Sequence, residues 1–142
     1  ENKIVQVDIL HDAGKAINSA IELGQIEGGF VQGAGWLTME EVNWKSNGQL
    51  TTHSPSTYKI PAVSDMPEKF NVEIFKNGKN IENVINKSKT TGEPPLMNAM
   101  SVFFAIKDAI ASIGNYALNP ILDAPATPEK ILISINKLKN KI

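Results

Sequence analysis

The sequence predicts an α+β fold: a small mixed or antiparallel sheet with two long helices and a short C-terminal helix. Two observations lead to this prediction. Apolar residues recur at steps of three and four between residues 96 and 113, which is the period of a helix with one apolar face. Residues 70–75 instead alternate between apolar and polar side chains, as half-buried strands do. A chain of 142 residues is long enough for one domain with its own core.

The composition excludes several classes of protein. The net charge of −1 provides no basic excess for nucleic acid, and no basic amphipathic run suits a membrane surface. The chain has no cysteine, so disulfides, thiolate zinc sites and iron–sulfur ligation within it are excluded. We therefore expect a cytoplasmic protein. Because the chain begins at Glu1 and enters an apolar run at once, we interpret it as a piece of a longer protein.

The first strand is predicted over residues 4–10, which are rich in β-branched side chains. The residues that follow it, including His11, Asp12 and Gly14, are typical of a turn. Histidine can bind metal, but a single histidine beside aspartate and glycine is more often a turn or surface residue. We interpret His11 as structural.

The first long helix is predicted over roughly residues 19–42, capped by Asn18 or Ser19, with Glu22 placed as in a capping box. Glycine is unusually frequent in it, and each glycine costs up to about 1 kcal/mol relative to alanine in a helix. The glycines are Gly24, Gly28, Gly29, Gly33 and Gly35. They indicate either tight packing against another backbone or a wall against which a flat cofactor lies.

The middle of the chain is predicted to contain a hairpin at Asn47-Gly48. Residues 54–61 have prolines near both ends and are predicted to be extended. Near the C-terminus, Thr127 is a favourable N-cap that precedes a proline, which predicts a helix to about residue 139.

The second long helix follows the segment Gly92-Glu93-Pro94-Pro95. Proline steers the residue before it towards extended backbone and is tolerated in the first helical turn. Glu93 is therefore predicted on a stiff elbow just outside the helix, and Gly92 leaves room for close approach to the backbone. The apolar stripe behind it is wide, so we expect that helix to be buried on much of its circumference.

Lys89 precedes this elbow by four residues. It either supplies positive potential near Glu93 or is an ordinary solvated lysine, and the sequence favours neither interpretation.

Four segments of the chain resemble, in order, the C-terminal part of the molybdenum-binding domain of the xanthine dehydrogenase family, which includes xanthine oxidase and aldehyde oxidase. Two motifs carry most of the resemblance: the Gly-Gln-x-Glu-Gly element that begins at Gly24, and the Gly-Glu-Pro-Pro-Leu element that begins at Gly92. Residues 54–61 and 122–131 are also similar to the family.

The resemblance implies that Glu93 is a catalytic base beside molybdenum and that Gln25 and Gly92 contact the molybdenum–molybdopterin cofactor. It implies oxidative hydroxylation of a purine such as hypoxanthine or xanthine. Iron–sulfur clusters and FAD would lie on other domains or subunits, which would be partners of this chain together with the remainder of the molybdenum-binding domain. No residue of the chain is expected to bind metal directly.

Two alternatives remain open at this point. The substrate-binding arginine and second glutamate of the family are not found in the sequence, so an aldehyde oxidase-type hydroxylase is possible. The two long helices are also compatible with a non-catalytic folding or assembly module. In either case the isolated chain is expected to be inactive.

Overall fold

The structure, a computed structural model, describes residues 2–141. Within these residues, two strands and four α-helices follow one another as β1 (Gln6–His11), α1 (Ser19–Thr38), β2 (Lys69–Ile74), α2 (Pro94–Asn98), α3 (Met100–Ser112) and α4 (Pro128–Lys139). The predicted α+β class is confirmed. None of the helices in the described part of the chain is long and apolar enough to cross a membrane.

The strands β1 and β2 pair in parallel, with Gln6 opposite Lys69 and His11 opposite Ile74. The sequence pointed to a mixed or antiparallel sheet, and this part of the prediction was wrong. The hairpin at Asn47-Gly48 does form, but it adds a single isolated antiparallel bridge outside the sheet. Parallel pairing requires a long crossover connection between the strands. The segment from β1 to β2, which contains α1, provides it.

The helix α1 begins as predicted and ends earlier. Asn18 caps it, since its side-chain oxygen accepts the backbone N–H groups of Ala20 and Ile21 at 3.2 and 3.3 Å. The helix ends at Thr38, not near residue 42. Ala126 N–H donates to the carbonyl oxygen of Leu37 at 2.6 Å, an acceptor that a further helical turn would use.

The core lies between α1, the sheet and the start of α3. Ile26 and Phe30 of α1 are 0% and 1% exposed, and they pack with Ile9 of β1 and Ala99. The ring of Phe30 meets that of Phe70 at a centroid distance of 5.5 Å. Burying α1 on two sides stabilises a helix that its glycines would otherwise weaken.

The second long helix is divided into α2 and α3 at Ala99, where the Ala99 and Val102 N–H groups bond three residues back instead of four. Of its predicted apolar stripe, Ile110 is buried at 2% exposure. Met100 and Phe104 remain 43% and 55% exposed, so the expectation of burial on most of its circumference was wrong for this chain. The reason is that α1 and α4 contact only part of the α3 surface.

The segment after Ser54 and the C-terminal helix differ in how far they follow the sequence prediction. Ser54 is followed by a turn, in which the N–H groups of Thr57 and Tyr58 donate to its carbonyl at 3.0 and 2.9 Å. Residues 54–61 are therefore not extended throughout, because the Ser54 and Thr57 side chains bond locally and favour a turn. The C-terminal helix α4 begins after Thr127, whose hydroxyl accepts Lys130 N–H, and ends at Lys139 as predicted.

Candidate functional site

Glu93 occupies the N-cap position of α2, just outside the helix, and its side chain is exposed. Its place at the mouth of the helix agrees with the sequence prediction. Its backbone, with φ −90° and ψ −43°, is helical and not extended. The preference imposed by Pro94 is overridden because Leu96 N–H donates to the Glu93 carbonyl at 3.1 Å and closes the first turn. No structural observation tests the role of Glu93 as a base, which stays a prediction.

The elbow around Glu93 is packed against α1 through two glycines. A Cβ on Gly29 would stand 3.2 Å from the Gly92 carbonyl oxygen and 3.2 Å from Pro95 Cβ. A Cβ on Gly33 would stand only 2.3 Å from the Leu96 carbonyl oxygen. At these two positions the glycines therefore serve tight packing, the first of the two interpretations that the sequence left open.

This packing places Gln25 beside the elbow. Gln25 precedes Gly29 by one helical turn and lies on the same face of α1. Its side chain is exposed, and its Oε1 atom lies 3.6 Å from where a Cβ on Gly92 would stand. Gln25 and the residue preceding Glu93 are far apart in the sequence, and the contact between α1 and α2 brings them together.

A second face of α1 is open. A Cβ on either Gly24 or Gly28 would meet nothing within 4 Å. These two glycines flank Gln25 with accessible backbone, which leaves space for a flat group to approach closely. An exposed amide that offers donors and an acceptor, a carboxylate and open glycine backbone together fit a large polar cofactor. Among the described residues, no group of three or more histidine, aspartate or glutamate side chains could hold a metal ion.

Lys89 forms an ion pair, although its side chain remains 35% exposed. Its Nζ donates to Asp12 Oδ2 at 2.6 Å, while Asp12 Oδ1 accepts Gly14 N–H at 2.9 Å. The bond from Lys89, followed by that from Gly14, holds the pKa of Asp12 below the ordinary aspartate value. Sequence reasoning missed this pair because Asp12 and Lys89 lie on distant segments and neither segment carries a local signal for the other.

His11 has the structural role that the sequence suggested, but not at a turn or on the surface. It is the last residue of β1 and is only 8% exposed. Its Nε2 atom lies 3.3 Å from the carbonyl oxygen of Thr90, within the segment that leads to Glu93. The end of β1 is therefore joined to the elbow by side chains as well as by backbone.

Comparison with known proteins is consistent with this geometry. A family model described as the molybdopterin cofactor-binding domain matches residues 1–67. The xanthine dehydrogenase/oxidase of Rattus norvegicus is 48% identical over 136 residues, covering 92% of this chain and 10% of the relative. The xanthine dehydrogenase of Oryza sativa subsp. japonica is 47% identical, covering 88% of this chain and 10% of the relative.

Solved structures give the same result at the level of the fold. Quinoline 2-oxidoreductase from Pseudomonas putida 86 superimposes with a TM-score of 0.82 at 29% identity, covering 95% of this chain and 16% of that one. The Cu,Mo-CO dehydrogenase shares the fold with a TM-score of 0.75 at 18% identity, over 94% of this chain and 16% of that one. The chain thus spans about a tenth of the length of the curated relatives that it matches. Over about nine tenths of its own length, the chain is therefore similar to one segment of the xanthine dehydrogenases.

Proposed function

We propose that this chain is part of the molybdenum-cofactor-binding domain of a molybdenum hydroxylase, a xanthine dehydrogenase, in which Glu93 is the catalytic base. The observation that carries the proposal is the position of Gln25, whose side chain lies beside Gly92, the residue that precedes Glu93. These are the residues to which the family motifs assign roles. The 142 residues would form a single segment of the domain, and the rest of the enzyme would lie in a longer protein, the parent enzyme.

The residues that would hold the cofactor lie on two faces of α1 and at the elbow. The Gln25 amide would donate to or accept from a cofactor oxygen or nitrogen. Gly92 and the open glycines Gly24 and Gly28 would let the cofactor approach the backbone. When bound, the molybdenum cofactor supplies the centre that takes up the electrons removed from the substrate. Iron–sulfur clusters and FAD on other domains or subunits would carry those electrons onward.

Glu93 would act in its ionised form. As an oxygen nucleophile bonds to an electron-poor ring carbon, a Glu93 carboxylate oxygen would accept the proton that this oxygen loses. The C–H bond of that carbon would break, and its hydrogen would leave with the electron pair that the cofactor takes up. The carboxylate must stay within hydrogen-bond reach of that proton, roughly 2.6–3.2 Å between heavy atoms. Packing of Pro95 against Gly29 holds the backbone immediately after Glu93.

The substrate that we propose is a nitrogen heteroaromatic, with a purine as the first choice. The names of the rat and rice relatives refer to xanthine, and that of a structural relative refers to quinoline. All are electron-poor rings with carbon next to nitrogen, where attack by an oxygen nucleophile is favoured. An aldehyde oxidase-type activity remains the alternative within the same chemistry.

The direct partner that we propose is the remainder of the molybdenum-binding domain. It would cover apolar side chains that are exposed in this chain, including Trp36 and Phe104 at 53% and 55% exposure. The same exposure also favours a second candidate function, a non-catalytic assembly module. A cytoplasmic location, expected from the composition, stays a prediction.

The test is Glu93→Gln in the parent enzyme. The amide keeps the size of the side chain but cannot accept the proton, so we expect turnover of xanthine to fall by about a hundredfold or more with molybdenum content unchanged. Both quantities are measured on the same preparation, as the steady-state rate and as metal per protein.

Glu129→Gln is the matched control, because Glu129 is also an exposed glutamate at the start of a helix that begins with proline. It should leave turnover unchanged. Near-normal turnover of the Glu93→Gln enzyme would exclude Glu93 as the base. Loss of molybdenum together with activity would assign Glu93 a structural role instead.

A further inference from the structure

We propose that Asp12 and Lys89 are positioning residues, which form a latch between the end of β1 and the segment before the elbow and so set the direction of Glu93. This inference rests on the proposed role of Glu93 as the base. The latch consists of the 2.6 Å ion pair between Lys89 Nζ and Asp12 Oδ2 and the backbone bonds around it.

The backbone bonds place the two segments side by side. Lys89 N–H donates to the Ala13 carbonyl at 2.8 Å, and Lys15 N–H donates to the Lys87 carbonyl at 3.1 Å. Gly14 forms an antiparallel bridge with Ser88 between these bonds. The segment leading to Glu93 is thereby joined to the end of β1, which is itself held in the sheet.

The close approach depends on Gly14. It adopts a positive φ of 64°, and a Cβ at this position would stand 2.4 Å from the Lys87 carbonyl oxygen. Asp12 stabilises this turn, because its Oδ1 accepts the Gly14 N–H while its Oδ2 accepts Lys89 Nζ. One carboxylate thus bonds both to its own turn and to the opposite segment.

On the N-terminal side of Glu93, the latch acts together with the contact between His11 Nε2 and the Thr90 carbonyl oxygen at 3.3 Å. Within the part of the chain that the structure describes, the Glu93 side chain makes no capping bond to α2, a helix of only five residues. Gly92, immediately before it, permits wide backbone freedom. Packing on α1 holds the residues after Glu93, whereas the latch holds those before it.

An electrostatic role for Lys89 is less consistent with these contacts. Its ammonium group lies against the Asp12 carboxylate, and the two opposite charges largely offset each other at a distance. A positioning role and an electrostatic role differ in what they do to catalysis. Misplacing a base lowers kcat, whereas removing a nearby positive charge also shifts the pH at which kcat is half maximal.

The experiment uses the molybdenum-loaded parent enzyme with Asp12→Asn, with Lys89→Met and with both. We expect each single variant to lower kcat about tenfold or more, with KM changed by less than about twofold and molybdenum content unchanged. The double variant should lose no more than the more affected single variant, because both remove the same ion pair. Lys89→Arg, which keeps a cation for Asp12, should retain most of the activity.

Glu68→Gln is the control, since Glu68 pairs with Lys3 at the same 2.6 Å distance, near the other end of β1. It should leave kcat unchanged. Unchanged kcat in both latch variants, with Glu93→Gln still inactive, would overturn the latch and leave the proposed function intact. If Glu93→Gln were active, the proposed function itself would fail.

Three further results would also overturn the positioning role. A shifted acid limb of the kcat profile in Lys89→Met would indicate an electrostatic effect. Loss of molybdenum with normal kcat per bound metal would indicate a purely structural pair. If neither single variant yielded folded enzyme, the result would also indicate that the ion pair is purely structural.

Discussion

Asp8 shows how a single exposed side chain ties the two strands together. Asn71 Nδ2 donates to its Oδ1 at 2.7 Å from β2, and Gln6 Nε2 donates to its Oδ2 at 2.7 Å. Both bonds favour the ionised carboxylate and therefore lower the pKa of Asp8. The bond from Asn71 has the larger effect. A pKa that is lower in the folded than in the unfolded chain makes folding stability depend on pH.

The direction of this dependence gives a prediction for acid pH. The contribution of Asp8 is fully present above its unfolded pKa, about 3.9, and is lost as the pH falls towards the lower native value. Asp8→Asn should therefore flatten the fall in unfolding free energy below about pH 4. Urea titrations of the isolated chain at several pH values measure this pH dependence of the unfolding free energy.

Asn71→Ala is a second test of the same assignment. The substitution leaves Asp8 in place and removes the principal hydrogen-bond donor to the Asp8 carboxylate. It should flatten the acid limb in the same way. A pH dependence identical to that of the unmodified chain in both variants would contradict the assignment.

The helix α1 shows why glycines within one element are not equivalent. Gly33 faces α2, where a Cβ would stand 2.3 Å from the Leu96 carbonyl oxygen and 2.8 Å from Ala99 Cβ. Gly28 lies on the open face, where a Cβ would meet nothing within 4 Å. The helical pattern shows all the glycines alike, and only the packing of α1 against its neighbours separates them.

This difference predicts opposite effects of the same substitution. Gly33→Ala should lower the unfolding free energy by about 1–3 kcal/mol, because backbone and core must shift to admit the methyl group. Gly28→Ala should raise it by up to about 1 kcal/mol, because alanine is the better helix former.

Urea unfolding of the two variants beside the unmodified chain measures both effects. Gly24→Ala, also on the open face, is the matched control and should behave like Gly28→Ala. Equal destabilisation by Gly28→Ala and Gly33→Ala would contradict the packing of α1 described above.

At the scale of the whole molecule, the buried core is small and much apolar surface remains accessible. The largest fully buried side chains are those of Phe30, Ile26, Ile110 and Pro95. Large exposed apolar residues occur on several elements, among them Ile21 of α1, at 63% exposure, and Leu132 of α4, at 58%. Where such exposed side chains join into one apolar patch, the patch is typical of an interface.

We therefore expect the isolated chain to bind a hydrophobic fluorescent dye strongly or to self-associate on gel filtration. Phe104→Gln should reduce the dye signal, since this ring is half exposed on α3. Lys107→Gln, on the same helix, is the control and should leave the signal unchanged. A stable monomer that binds no dye would favour an independent module over a segment covered by the rest of a larger domain.

Elements whose signals are local could be predicted from the sequence alone. Capping by Asn18 and Thr127, the alternation of β2 and the position of Glu93 before a proline-started helix all follow from residues a few positions apart. The resemblance to the xanthine dehydrogenase family could also be found from the sequence, because each of the motifs around Gln25 and Glu93 is an unbroken run of residues.

Features that depend on distant parts of the chain became visible only in the folded structure. The parallel pairing of the strands, the division of the second long helix at Ala99 and the latch between Asp12 and Lys89 all join or separate residues through packing. So does the meeting of Gln25 with Gly92. Local propensity cannot specify such contacts, because each depends on the surface that another segment presents after the chain has folded.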